Sequence, residues 1–150
     1  MSWATLSQQT FDLVDNNKTA LGIQEVYRYP KFDFSGYPAC TVTPSDNSND
    51  YETTSENVRI YAWKVRIFYD TKATGIDASL QRLYPVIDDT MDQFDKEDEQ
   101  ASGQVLGVGM PAGYTYINNF ATPGVWLSTE NENIFYNEFT IRIRVSVDIQ

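Results

Sequence analysis

Histidine is absent from this chain of 150 residues, and cysteine occurs once. Without histidine the chain lacks the usual proton carrier near neutral pH, which excludes Ser-His-Asp and Cys-His nucleophile systems and the commonest metal ligand. The single cysteine, Cys40, excludes an internal disulfide and a cysteine-rich zinc site, and its apolar strand pattern predicts a buried thiol. We therefore expect no catalytic site, no cofactor and no metal.

Basic residues and long apolar runs are also scarce. The chain has 11 Lys and Arg against 21 Asp and Glu, a formal net charge of −10. Such a surface repels phosphates and argues against specific binding of nucleic acid. The sequence shows no secretory signal and no apolar run of the roughly 18 residues that a membrane span needs. We expect a soluble protein, made in a cytoplasm, with no membrane partner.

Aromatic and apolar residues are plentiful enough for one core. Hydrophobic residues make up 41% of the chain and aromatic residues 14%. These fractions argue against disorder, and aromatic side chains favour half-buried sheet surfaces. At this length a single domain over residues 1–150 is predicted.

Two helices are predicted from the spacing of apolar side chains. Residues 2–17 have apolar positions every three or four residues, and Asn16 with Asn17 would end that helix. A second helix follows Thr74, whose spacing to Asp77 is that of a capping box. Pro85 lies inside this helix and predicts a kink or a break.

The outer face of the second helix is strongly acidic. Residues 88–99 hold seven carboxylates and one lysine, and so supply −6 of the net charge of −10. The spacing fits no calcium loop, which favours a solvated helix face. The acidic residues proposed for an exposed face or a channel lining are Asp88, Asp89, Asp92 and Asp95.

Alternating patterns predict strands at 23–29, 39–43, 58–69, 114–117, 125–127 and 139–149. The strand at 58–69 would span roughly 40 Å, so we expect it to run past the body of the domain. Residues 45–57 are polar and predict a long loop. This loop either projects from a hairpin and becomes ordered against a partner, or is a flexible surface loop. The predicted fold class is α+β, a mixed or antiparallel sheet backed by two helices, with a long projecting hairpin loop.

Four basic residues alternate along one face of two predicted strands: Lys64, Arg66, Arg142 and Arg144. If the strands are neighbours, the like charges crowd one side of the sheet and need acids nearby. Local side chains such as Asp148 supply them, or a neighbouring subunit does. In the second case the basic strand face and the acidic helix face form a heterologous contact, which can close into a ring. The candidate interface also includes Asp46, Asp50, Tyr51 and Glu52 of the polar stretch.

Several segments resemble the tail terminator or head–tail joining (neck) proteins of long-tailed bacteriophages. They are Gly36-Tyr37-Pro38-Ala39, residues 42–46, Glu52-Thr53-Thr54, residues 59–67, Leu83 with Val86-Ile87-Asp88, and residues 141–145. The resemblance covers residues 20–100 and 135–150. It implies an α/β subunit without catalytic residues, located in the virion, in a hexameric ring that caps the tail tube and joins it to the capsid neck.

The partners that this resemblance implies are further copies of the chain, the tail tube protein, and a neck or head-completion protein. DNA would pass through the ring without specific binding. Carboxylates repel phosphates. We therefore expect the channel to be lined or rimmed by part of the acidic helix face, or by the predicted loop at 45–57 with its acidic residues.

Other functions stay open at this stage. The chain could be another virion protein, for head completion, a minor capsid role or the tail tube. A small ligand- or sugar-binding module would use exposed aromatic side chains at Tyr114, Tyr116 and Trp126. A histidine-free hydrolase would need two carboxylates that converge in a pocket.

Overall fold

A computed structural model describes residues 2–50, 56–72, 75–98, 105–130 and 133–148. The elements in chain order are α1 Ser2–Asn16, α2 Lys18–Leu21, β1 Glu25–Tyr27, β2 Ala39–Asp50, β3 Glu56–Asp70, α3 Ile76–Asp98, β4 Tyr114–Ser128 and β5 Ile134–Asp148. The strands form one mixed sheet, and the predicted α+β class is confirmed. None of the described helices combines the length and the hydropathy needed to cross a membrane.

The sheet has the order β1-β2-β3-β5-β4. Strand β1 is parallel to β2, and every other neighbouring pair is antiparallel. The two central strands, β3 and β5, have 15 residues each and pair from end to end. The expectation that β3 runs past the body of the domain is therefore wrong, because β5 and the equally long β4 accompany it.

The polar stretch after residue 43 continues a strand. Strand β2 extends to Asp50, and its pairing with β3 shifts register between Pro44 and Asn47. Such a bulge accommodates a proline, which has no N–H to donate. The prediction of a loop over 45–57 is thus wrong for 45–50 and for 56–57, where backbone pairing decides the structure. Residues 51–55 of that loop lie outside the described residues.

The helices follow their predicted apolar periodicity. Helix α1 ends at Asn16, and the side-chain amide of Asn17 donates to the carbonyl of Leu13 at 2.7 Å. Helix α3 is continuous through Pro85, so the predicted break does not occur. Thr74, the predicted cap of α3, lies outside the described residues.

Strand β4 replaces the two short strands predicted at 114–117 and 125–127. Its pairing with β5 shifts register at Tyr116/Asn118 and again at Thr122/Val125. These irregularities interrupt the alternation, so the sequence pattern shows only fragments. At the second shift a Cβ added to Gly124 would lie 1.8 Å from the carbonyl oxygen of Glu138. Only glycine permits this approach of two backbones.

Both α1 and α3 pack on one face of the sheet, which carries the main core. The inward side chains of β5 follow the alternation that predicts this strand, and all are buried: Phe139, Ile141, Ile143, Val145 and Val147. On β3 they alternate with the same period, and the indole of Trp63 donates to the hydroxyl of Ser7 on α1 at 3.1 Å. Trp3 packs edge-on against Tyr61 and Trp63, with ring centroids 4.8 and 5.1 Å away.

Among the described residues, the opposite face of the sheet is covered at one end only. There a smaller cluster forms beneath the segment between β1 and β2, from Phe34, Ala39, Phe68, Ile134 and Tyr136. The described helices all lie on the other side. We call the uncovered remainder of this surface, along β3, β5 and β4, the open sheet face.

Cys40 is fully buried in the main core, as predicted, and burial raises the pKa of its thiol well above the ordinary value. Because thiol reagents attack the thiolate, we expect Ellman's reagent to label the native protein negligibly and to label one thiol per chain in denaturant. Fast labelling of the native protein would contradict this account.

The Gly124→Ala variant should be destabilised by about 1–3 kcal/mol, the usual range for forced overpacking, because the added methyl meets backbone that cannot rotate away. Chemical denaturation followed by tryptophan fluorescence measures the free energy of unfolding. Thr122→Ala, at an exposed position on the same strand, is the control and should change stability little. Equal stability of both variants would show that β4 can shift there.

Candidate interaction surface

The open sheet face carries the four basic side chains predicted as a stripe. Strands β3 and β5 are direct neighbours, and their register places Arg66 opposite Glu138 and Arg142 opposite Ala62. The basic residues are therefore offset along the two strands, and no two of them face each other directly. This offset reduces the like-charge crowding that adjacent strands would otherwise produce.

Glu138 is the acid that pairs with the two basic residues of β3. Its Oε2 accepts from Nε of Arg66 at 2.7 Å, and its Oε1 lies 3.7 Å from Nζ of Lys64. The guanidinium of Arg66 also lies 5.7 Å from the ring centre of Phe32 and 5.6 Å from that of Tyr136. A local carboxylate thus serves these cations, though it is not the Asp148 suggested by the sequence.

The basic residues of β5 differ from each other. Arg144 already has an interaction partner. Arg142 forms no ion pair or hydrogen bond with the described residues, and its neighbours across the sheet are Ala62 and Phe120. Arg142 is therefore the member of the stripe that remains available to a carboxylate from another molecule.

The acidic helix face lies on the outer surface of α3. The four carboxylates predicted there are all exposed: Asp88, Asp89, Asp92 and Asp95. Glu97, from the same acidic run, is buried and accepts from the backbone N–H groups of Val105 at 2.5 Å and Leu106 at 2.8 Å. Within the described ranges, no cluster of three or more acidic or cysteine side chains could hold a metal ion.

The remaining predicted interface residues belong to the polar stretch. Asp46 and Asp50 lie in β2. Tyr51 and Glu52 fall outside the described residues, so their role as contact residues stays a prediction.

An exposed apolar surface on the β4 side of the domain was not predicted. We call it the apolar flank; it consists of Ile76, Tyr84, Val125, Trp126 and Leu127, each between 42% and 68% exposed. Together with Leu80 and Phe135, four of these side chains line a cleft of about 330 Å³. The ring of Trp126 lies 5.9 Å from that of Tyr84 and 5.8 Å from that of Phe135.

The position of this flank does not follow from local sequence patterns, for a physical reason. Ile76 and Tyr84 fall on the apolar side of α3, where periodicity predicts burial against the sheet. However, β4 is the last strand, so the first turns of α3 have no further strand beneath them. Apolar side chains that are exposed together mark interaction surfaces more often than isolated ones do.

The aromatic residues considered for a sugar-binding module do not assemble. Tyr114 and Tyr116 pack against the main core, and the hydroxyl of Tyr116 is hydrogen-bonded to Asn119. Only Trp126 of the three is exposed. The partial burial of two of the three rings counts against a stacking platform for a sugar.

Two carboxylates, Asp33 and Glu130, line a cleft of about 630 Å³ beside Phe32. Both side chains are exposed to water. A glycosidase acid, in contrast, is set in an apolar environment that desolvates it. This cleft therefore gives little support to a histidine-free hydrolase.

No protein-family model and no curated protein matches this chain. Among solved structures, it is similar to a chain described as "Virion of native gene transfer agent (GTA) particle", with a TM-score of 0.67 and 12% sequence identity. The similarity covers 94% of this chain and 94% of that chain. The two proteins thus share a fold over nearly their whole length: an α+β domain with a mixed sheet and helices on one face.

The Glu138→Gln variant should lower the free energy of unfolding by about 1 kcal/mol, because Lys64 and Arg66 lose their shared carboxylate on a partly exposed surface. Urea denaturation at low salt measures the change, and the loss should shrink as added salt screens the charges. Glu130→Gln, at an exposed position between β4 and β5, is the matched control. A loss of the same size in the control would remove the special role of Glu138.

Proposed function

We propose that this protein is a structural component of a phage-like virion. The observation that carries the proposal is the shared fold with a chain of a gene transfer agent virion, over 94% of both chains. The composition supports a structural role, since the chain has no histidine for acid–base chemistry. Its distinctive surfaces, the apolar flank and the open sheet face, suit contacts between proteins better than the binding of a small substrate.

Within the virion we propose a tail terminator role, in which copies of this chain form a ring that caps the tail tube and joins it to the capsid neck. The sequence resemblance described above supports this role and a copy number of six. The proposed partners are other copies of the chain, the tail tube protein, and a neck or head-completion protein. A ring requires two different surfaces on each subunit, and the apolar flank on the β4 side differs from the surface at β1 and β2, the opposite edge of the sheet.

We also propose that part of the acidic helix face lines or rims the channel of the ring. The exposed carboxylates of α3 would repel DNA phosphates, so that DNA passes without being held. The net charge of −10 is consistent with such a conduit.

Light scattering and electron microscopy of the purified protein test the ring directly, and mass spectrometry of separated heads and tails locates the protein in particles. We expect rings of one size, and recovery with the tail–neck junction. A protein that stays monomeric and is absent from virions would overturn the proposal. Recovery with tail-less capsids or along the tube would instead favour a head-completion, minor capsid or tube role.

The Arg142→Glu variant should weaken oligomerisation by about tenfold or more while leaving the unfolding midpoint nearly unchanged. The reason is that Arg142 lacks a partner within the described chain, and a reversed charge at a protein contact costs several kcal/mol. Sedimentation velocity over a concentration series measures the association. Lys72→Glu, an exposed charge reversal between β3 and α3, is the control; unaltered assembly of Arg142→Glu at physiological salt would remove Arg142 from the interface.

A further inference from the structure

We infer that β4 of one subunit pairs with the outer edge of β2 in the next copy of this chain, so that the sheet continues across the subunit boundary. This inference rests on the proposed ring and specifies the contact that builds it. The occupant of the apolar flank is accordingly a second copy of the chain.

Among the described strands, the sheet has two open edges. Strand β4 has β5 on one side and no described strand on the other. Strand β1 covers only residues 39–41 of β2, so residues 42–50 have a single strand neighbour, β3, among the described residues. Open edges present unpaired backbone groups and readily pair with another chain.

The two open edges lie at the same height on the sheet. One level is shared by four residues, one per strand: Thr43, Lys64, Thr140 and Thr122. A second level is shared by Asp50, Val58, Ser146 and Thr115. Residues 115–122 of β4 and 43–50 of β2 therefore span the same interval, and rotation about an axis along the strands would join them without translation. A head-to-tail contact without translation can close into a ring when the rotation between subunits divides a full turn.

The strand directions also fit. Strand β2 is antiparallel to β3, β3 to β5, and β5 to β4, so β2 and β4 run in opposite directions within one subunit. The same rotation sets β4 antiparallel to β2 of the neighbour. Antiparallel pairing has the straighter hydrogen bonds of the two ladder types.

The apolar flank continues the same contact beyond the second register shift of β4. Val125 is level with Tyr27 of β1, and Leu127 is level with Glu25, as the registers across all five strands show. Tyr29, just after β1, is 53% exposed. The apolar flank of one subunit would thus contact the β1 side of the next, where the side chain of Tyr29 is exposed. The contact would bury both apolar surfaces.

Charges at the two edges are complementary. Arg142 lies on β5, one strand in from the β4 edge, and has no partner among the described residues. The β2 edge carries Asp46 and Asp50. Pairing of the edges would place this acidic stretch of sequence beside the strands that carry Arg142, whereas β4 against β4 would bring two copies of Arg142 toward each other.

An engineered disulfide distinguishes pairing of β4 with β2 from other contacts between subunits. In one subunit residues 50 and 115 are three strand spacings apart, about 14 Å, which exceeds the limit of about 7 Å between Cα atoms for a disulfide. An Asp50→Cys/Thr115→Cys double variant can therefore cross-link only between subunits, and Cys40 stays buried. We expect a ladder on a non-reducing gel that ends at the ring size, and monomers for each single variant.

A second pair of variants tests the apolar flank. Leu127→Asp should weaken association by about tenfold or more, as removal of a buried apolar contact does at an interface centre. Val108→Asp is the matched control, because Val108 is 58% exposed and lies outside the flank. Both variants should unfold at nearly the wild-type denaturant concentration.

The outcomes are distinct. Rings that neither cross-link in the double variant nor respond to Leu127→Asp would overturn the edge pairing and leave the proposed ring intact. Strong dimer formation by Thr115→Cys alone would indicate contact of β4 with β4 and would also overturn it. A chain that forms no oligomer and does not enter particles would overturn the edge pairing together with the proposed function.

Discussion

The structure depends on the pairing of β3 with β5, which joins two strands that are distant in sequence along 15 residues each. Each strand has one apolar face, and their alignment places both apolar faces on the same side. That side then binds α1 and α3, while β2 and β4 add to the outer edges. Without this ladder neither helix would have a surface to cover, and the main core would not form.

The same pairing also determines how charge is distributed. Residues that alternate with the core positions must point to the opposite face, and none of the described helices covers that face. Glu138 sits among the cations there and balances two of them, and its backbone carbonyl lies against Gly124 of β4. A single residue therefore links the polar surface of the sheet to the path of its edge strand.

Sequence patterns predicted the elements whose own side chains decide their structure. The alternation of β5 and the helical spacing of α1 and α3 were clear, because one face of each is buried. The second half of β2 was missed because its polar side chains carry no pattern and its strand conformation comes from the backbone of β3. Strand β4 was missed because two register shifts break its alternation. To predict the apolar flank one must know which strand is the last in the sheet. The spacing of residues along the sequence does not contain this information.

Each open edge has a proline beside the level that Thr43 and Thr122 share: Pro44 follows Thr43, and Pro123 follows Thr122 on the opposite side of that level, because β2 and β4 are antiparallel. A proline offers no N–H to an incoming strand and bends the strand that contains it. Edge-to-edge contacts are therefore disfavoured in any register that would need a hydrogen bond from these two positions. The two prolines at the register shifts thus limit the registers in which one edge can pair with another.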